Sequence, residues 1–152
     1  MLFCAFLLGL VAGLRAMLAP TVVSWFARNG ILAVANTPLA FMGFKYTPII
    51  FTVLALGEFV NDKLPKTPSR KAPPSFIARI VSGALTGATI GAAVDSLVMG
   101  LILGALGAVA GTLGGAAGRA KLAAVFGRDL PAALLEDVVG IVLAVTCLLR
   151  VR

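Results

Sequence analysis

The stretch LGEFVNDKLPKTPSRKAPPSFIAR, residues 56–79, is the most polar part of the sequence and divides it into two halves. It begins as the end of an apolar helix, passes two carboxylates, Glu58 and Asp62, and becomes a basic, proline-rich loop over residues 63–79. Because the chain on both sides is hydrophobic, this segment is the part that must meet water. We interpret it as the cytoplasmic hinge of a small membrane protein.

The composition is that of an integral membrane protein. Of 152 residues, 60% are hydrophobic and 12% are charged, whereas a soluble domain carries about 25% charged residues. Several apolar runs approach the ~20 residues that a crossing helix needs. The net charge of +7 comes from bases in short loops between these runs, where they set orientation and meet lipid headgroups. The sequence therefore predicts an all-α polytopic transmembrane bundle with membrane lipids, and no nucleic acid, as its partners.

Five spans are predicted, over residues 2–26, 48–64, 76–94, 97–118 and 131–149. The first is interpreted as a permanent span, because it lacks a basic start and Arg15 interrupts it. We expect Pro20 to kink it. The apolar residues 31–44 are too short to cross and contain Pro38, which favours a re-entrant or interfacial segment.

The orientation follows from the bases in the loops. Eight lie in the two loops predicted to be inside and four on the other side, which places the N-terminus in the cytoplasm and the C-terminus outside. The eight are Lys63, Lys66, Arg70, Lys71, Arg79, Arg119, Lys121 and Arg128, and the four are Arg28, Lys45, Arg150 and Arg152. An odd number of spans also allows an inverted repeat of spans 1–2 and 4–5, supported only by short matches such as Pro48 and Pro131.

Charged residues inside the apolar runs are the candidate functional residues. Arg15 lies near the middle of its span, where a cation costs at least ~2.5–3.5 kcal/mol and needs a partner. We predict a polar pathway in which two arginines meet three acids: Arg15, Arg119, Glu58, Asp62 and Glu136. The alternative is a set of ion pairs that only lock spans together. That alternative is favoured for Asp62 and Asp137, which lie near the headgroups; Glu136 and Asp137 are adjacent, so only one of them can easily face a shared cavity.

Glycines recur every four residues in the third and fourth predicted spans. The two series are Gly83, Gly87 and Gly91, and Gly107, Gly111 and Gly115. Small residues at this spacing let helix backbones approach closely, within one chain or between the chains of a homo-oligomer. The alternative is backbone exposed along a pore or groove.

Signatures of enzymes and metal sites are missing from the sequence. It contains no histidine, no GxSxG, no HExxH and no phosphate-binding loop. Cys4 and Cys147 lie in apolar runs without a CxxC partner, and we interpret them as small buried hydrophobic residues. We expect no catalytic activity, no metal and no cofactor.

Four segments together resemble a known family. They are GLRAMLAPTVVSW (13–25), LGEFVNDKLPKTPSRKAPPSFIARIVSGALTGA (56–88), LGAVAGTLGGAAGRAKL (106–122) and LPAALLEDVVGI (130–141). They look like the bacterial family catalogued as domain of unknown function 4126, over nearly the whole chain. The resemblance implies a small protein of the bacterial inner membrane and no particular reaction. In the family pattern, recurring positions match Arg15, Glu58, Asp62, Lys63, Glu136 and Asp137.

Three functions remain open from the sequence. The leading hypothesis is transport or permeation of an ion or a small polar solute through the Arg/carboxylate cluster. The second is a membrane scaffold or accessory protein without turnover. The third is movement of lipid between leaflets along the glycine-lined face.

Overall fold

The computed structural model describes residues 1–61, 72–127 and 129–150, and these residues form an all-α bundle without strands. The helices are α1 (Leu2–Leu14), α2 (Leu18–Arg28), α3 (Thr47–Asn61), α4 (Pro73–Ala92), α5 (Leu97–Phe126) and α6 (Asp129–Leu149). A short 3-10 helix, Ala40–Gly43, lies between α2 and α3. The predicted all-α class is confirmed.

Two of the described helices are long and apolar enough to cross a membrane. They are α4 and the part of α5 from Leu97 to Leu122, which spans 26 residues. Helices α1 and α3 are apolar but shorter. The five crossings therefore stay a prediction.

The basic loop is shorter than predicted, because α4 begins at Pro73. Pro73 and Pro74 were expected to belong to the proline-rich loop, ahead of the predicted span that begins at residue 76. They instead occupy the first turn of α4, where an amide N–H has no intrahelical partner and proline is tolerated. As a result Arg79 lies in a helix and is 4% exposed, so its interpretation as a loop base is corrected. The acid Asp62 and the remaining bases between α3 and α4 lie outside the described residues.

Glycines bring α1, α4 and α5 into backbone contact. A Cβ atom added to Gly87 would lie 2.7 Å from the Cα of Gly104, and one added to Gly91 would lie 2.9 Å from the Cα of Gly100. Gly83 also lies against Gly104. On the other side of α5, Gly107 and Gly111 lie against the backbone of α1. Gly115 is half-buried, one turn further along α5.

The order of these contacts gives the helix directions. Gly9 lies opposite Gly104 and Gly13 opposite Ala108, so α1 and α5 run in the same direction. The contact of Gly83 with Gly104 and of Gly91 with Gly100 shows that α4 runs the opposite way. The predicted inverted repeat requires the first and fourth spans to point in opposite directions. The parallel α1 and α5 are incompatible with it.

The predicted first span is broken into two helices at residues 15–17. Arg15 ends α1 with an extended backbone, φ −140° and ψ 112°, and α2 starts at Leu18. Pro20 was expected to kink the span. The break lies one turn earlier because proline gives no N–H to the carbonyl four residues back, Ala16, and its ring crowds that carbonyl. Pro20 itself sits in the first turn of α2.

The chain reverses at this break, so α1 and α2 form a helical hairpin. Arg79 donates to the carbonyls that end α1, whereas Ser82, further along the antiparallel α4, donates to Ala16. Ala16 has therefore already turned back along α1. Leu18 at the start of α2 and Val11 of α1 also lie together against Gly140 of α6, where an added Cβ atom would be 3.2 Å from Leu18 and 3.8 Å from Val11. The first predicted span thus enters and leaves the bundle at one end.

That end, which we call the terminal end, holds the start of α1, residues 29–46, the α4–α5 turn and the end of α6. Residues 31–44, predicted as re-entrant or interfacial, cover the core here with Leu32, Val34 and Met42 buried. The α4–α5 turn contains Asp95, whose left-handed φ of 53° is one that aspartate tolerates better than most residues. The opposite end, the loop end, holds the end of α3 and the start of α4.

A disulfide between Cys4 and Cys147 joins α1 to α6 at the terminal end, with their Cα atoms 5.9 Å apart. This corrects the interpretation of both cysteines as unpaired hydrophobic residues. The two cysteines are 143 residues apart in sequence, so no local sequence motif predicts the bond. The bond also places the start of α1 and the end of α6 at the same end of the bundle. This arrangement is incompatible with the prediction that the N-terminus lies inside and the C-terminus outside.

We expect Gly104→Ala to destabilise the bundle by about 1–3 kcal/mol, the usual cost of overpacking. The added methyl group would lie 2.9 Å from the Cα of Gly87 and closer still to the carbonyl of Gly83. The matched control is Gly114→Ala on the same helix, where a Cβ meets nothing within 4 Å. Thermal unfolding in detergent measures both variants. Equal melting temperatures would contradict the tight packing of α4 on α5.

Candidate functional site

The hairpin turn at residues 15–17 exposes backbone groups that the helices cannot satisfy, and Glu58 of α3 binds two of them. Its Oε1 accepts from the Ala16 N–H at 2.8 Å and its Oε2 from the Met17 N–H at 2.9 Å. These amides immediately precede α2, whose N-terminal end carries partial positive charge. The carboxylate therefore acts as a side-chain cap supplied by another helix.

Arg79 of α4 binds the other side of the break. Its Nη1 donates to the carbonyls of Gly13 at 2.8 Å and Leu14 at 2.6 Å. These carbonyls end α1, where the helix dipole favours a cation. Its Nη2 lies 3.6 Å from Oε1 of Glu58. Glu58 thus binds the N-terminal end of α2 and Arg79 binds the C-terminal end of α1. The two side chains face each other across the break.

Two hydroxyl groups complete the turn. The Thr112 hydroxyl of α5 lies 3.2 Å from the carbonyl of Gly13 and 2.8 Å from the carbonyl of Ala108 in its own helix, and its single hydrogen is shared between them. Ser82 of α4 donates to the carbonyl of Ala16. That carbonyl lacks a helical donor because residue 20 is proline. The break is therefore held by side chains from three neighbouring helices.

Arg15 is fully buried. Its Nε and Nη2 both lie 2.6 Å from Oδ1 of Asp137 on α6, and its guanidinium lies 5.2 Å from the centre of the Phe59 ring. Arg15 thus contacts α6 and the Phe59 ring of α3, while the amides of residues 16 and 17 bind Glu58. The structure pairs Arg15 with the acid that the sequence favoured less.

The remaining predicted pathway residues form a separate pair. Arg119 of α5 lies 3.9 Å from Glu136 of α6. Because Glu136 and Asp137 are adjacent on a helix, one faces α5 and the other faces the hairpin turn. The predicted cluster is thus divided among three places, and Asp62 lies outside the described residues.

An open groove of about 320 Å³ lies beside the hairpin turn, between α3 and α4. Its polar lining comes from Glu58, Asn61, Ser75 and Arg79, and its apolar lining includes Met17 and Leu54. This combination can hold a small polar molecule or a hydrated ion against both a carboxylate and a guanidinium. No cluster of three metal-ligating side chains occurs in the described part of the chain.

The comparisons with known proteins found no relative. No protein-family model, no curated protein and no solved structure matches this chain. The resemblance to domain of unknown function 4126 therefore stays a prediction, and the geometry is the basis for the function proposed below.

Sequence reasoning missed Arg79, Ser82 and Thr112. Arg79 was counted among the bases of the loop although it also falls inside the predicted span 76–94, and the prolines at 73 and 74 are a further signal for a helix start before it. Ser82 and Thr112 gave no usable signal, because a hydroxyl group in an apolar helix usually bonds its own backbone. Only the reversal at residue 15 brings them to the turn.

Proposed function

We propose that the protein is a small integral membrane protein that carries an ion or a small polar solute, with the groove beside the α1–α2 turn as its site. The observation that supports this most is the α1–α2 hairpin turn, whose two helix ends are bound by Glu58 and Arg79 at the groove. Discontinuous helices whose ends line a polar cavity are a recurrent plan of transport sites.

The surface of the bundle supports a membrane location. Large apolar side chains are exposed along α3, α5 and α6, for example Val53 at 62%, Val98 at 68% and Val138 at 60%. Soluble monomers rarely expose such continuous apolar surface. Exposed Trp25 and Tyr46 lie with Arg28 and Lys45 at the terminal end, a combination typical of the headgroup level. In this proposal α3 to α6 cross the bilayer and α1–α2 enters it from one side.

The geometry of the charged pair suits reversible binding. The Arg79–Glu58 separation of 3.6 Å exceeds the ~2.7–2.9 Å of a strong charged hydrogen bond. The shorter bonds of both residues go to backbone groups of the turn. A solute in the groove can therefore displace the loose contact between the side chains while the turn keeps its partners.

Flux through liposomes containing the purified protein tests the proposal. We expect wild-type protein to pass at least one member of a panel of protons, alkali cations, halides and small neutral solutes. Glu58→Gln keeps the size of the side chain but removes its charge, and should lower that flux at least tenfold. Glu136→Gln removes the same charge from a pair outside the groove and should keep the flux. An inactive wild type, or equal flux in wild type and Glu58→Gln, contradicts the proposal.

A membrane scaffold is the second candidate, and the pair of Arg15 and Asp137 favours it. This pair is almost completely buried, with side chains 1% and 12% exposed, as expected of a contact that only holds helices together. A scaffold predicts no flux, and loss of assembly when the pair is removed.

Homo-oligomerisation remains part of both proposals, and mass measurement in native-like membranes tests it. Lipid movement would appear as loss of leaflet asymmetry for labelled lipid.

A further inference from the structure

We infer that the terminal end of the bundle faces the oxidising space outside the cytoplasm and that the Cys4–Cys147 disulfide is closed there by a disulfide-bearing oxidant. This orientation depends on the membrane location proposed above and does not depend on transport. It reverses the N-terminal orientation that the sequence predicted.

The disulfide is the first support. Cys4 near the start of α1 and Cys147 near the end of α6 are bonded to each other, and both are at least nine-tenths buried. Structural disulfides persist in oxidising compartments and are rare where thiols are kept reduced. Closing the bond releases one proton from each thiol and two electrons in total, which reduce the disulfide of the oxidant to two thiols.

The distribution of bases is the second, independent support. Once Arg79 and Arg119 are set aside, because they are held in ion pairs, six bases remain in the sequence between α3 and α4 or from the end of α5 to the start of α6, and four lie between α2 and α3 or after α6. Those six are Lys63, Lys66, Arg70, Lys71, Lys121 and Arg128, and the four are Arg28, Lys45, Arg150 and Arg152. Bases concentrate in cytoplasmic loops. The loop end therefore faces the cytoplasm, in agreement with the disulfide.

The helix directions are consistent with both observations. The α1–α2 hairpin returns to the end where it started, so only α3, α4, α5 and α6 remain to cross. An even number of crossings puts Cys4 and Cys147 on one side, as the disulfide requires. Asn61 at the end of α3 and Ser75 near the start of α4 line the groove, so the groove opens near the cytoplasmic face.

Cysteine labelling in intact cells tests the orientation. In a chain carrying Cys4→Ala and Cys147→Ala, single cysteines are introduced as Phe3→Cys, Asn36→Cys or Ala120→Cys, all at exposed positions. We expect a membrane-impermeant maleimide to label positions 3 and 36 from outside, and position 120 only after the membrane is dissolved. Labelling of 36 but not 3 would mean that α1 crosses, and labelling of 120 alone would mean the reverse orientation. Either result overturns the inference.

The wild-type chain supplies a second measurement that needs no substitution. Cells are quenched in acid, and the denatured protein is treated with a maleimide carrying a polyethylene glycol chain, with or without prior reduction. We expect no mass increase without reduction and the addition of two polymer chains after it. Two additions without reduction would show free thiols and overturn the inference. This result is independent of flux, so it separates failure of the orientation from failure of the proposed function.

Discussion

Asp137→Leu is expected to lower the free energy of unfolding by about 3–5 kcal/mol, because it leaves a fully buried guanidinium without its carboxylate. Arg15 is 0% exposed, and both its Nε and its Nη2 contact Oδ1 of Asp137 at 2.6 Å. Trp25 is the single tryptophan of the chain and donates to Thr52 across the α2–α3 contact. Its fluorescence during denaturant titration in detergent measures the loss.

The double variant with Arg15→Leu and Asp137→Leu measures the interaction energy between the two side chains. A buried ion pair replaced by apolar side chains is often nearly neutral. We therefore expect the double variant to be more stable than either single variant, with a coupling energy of about 1–3 kcal/mol. Val142→Ala on the exposed face of α6 is the control and should change stability by less than about 0.5 kcal/mol. Additive single effects would show that Arg15 and Asp137 act independently.

Arg79→Ala should destabilise the protein by about 3 kcal/mol and loosen the α1–α2 turn. The substitution removes the donor of the Gly13 and Leu14 carbonyls and the cation opposite Glu58. Arg79→Lys keeps the charge, but an ammonium group lacks the planar fork that reaches the carbonyls and the carboxylate together. We expect an intermediate loss for lysine.

Hydrogen exchange gives a local reading of the same change. The amides of Ala16 and Met17, bonded to Glu58 in the wild type, should exchange faster in Arg79→Ala than the amides in the middle of α5. Arg150→Ala at the exposed end of α6 serves as the control for loss of one positive charge. Unchanged exchange at residues 16 and 17 would contradict the role of Arg79 in holding the turn.

The features predictable from the sequence are those encoded by residues close together in the chain. Apolar runs of helical length gave the all-α class. The interval of four between Gly83, Gly87 and Gly91 is a local pattern, and the structure places these glycines where α4 meets α5. The position of the α1–α2 turn could also have been predicted, because the ring of Pro20 clashes with the carbonyl of Ala16, one turn earlier in the helix.

Other features depend on the direction that the chain takes after a turn, and no local pattern encodes it. Arg15 is 122 residues away from Asp137 in sequence, and Cys4 is 143 residues away from Cys147. Both contacts require α6 to run antiparallel beside α1. Counting spans by hydropathy treated residues 2–26 as one crossing, and the reversal at Arg15 changes the side assigned to the N-terminus.

The disulfide between Cys4 and Cys147 closes the segment of polypeptide between these two residues into a covalent ring. Protease cleavage of any single peptide bond between residues 5 and 146 therefore yields an opened ring and not two separate fragments. Such a nicked molecule keeps its full mass until a reductant is added.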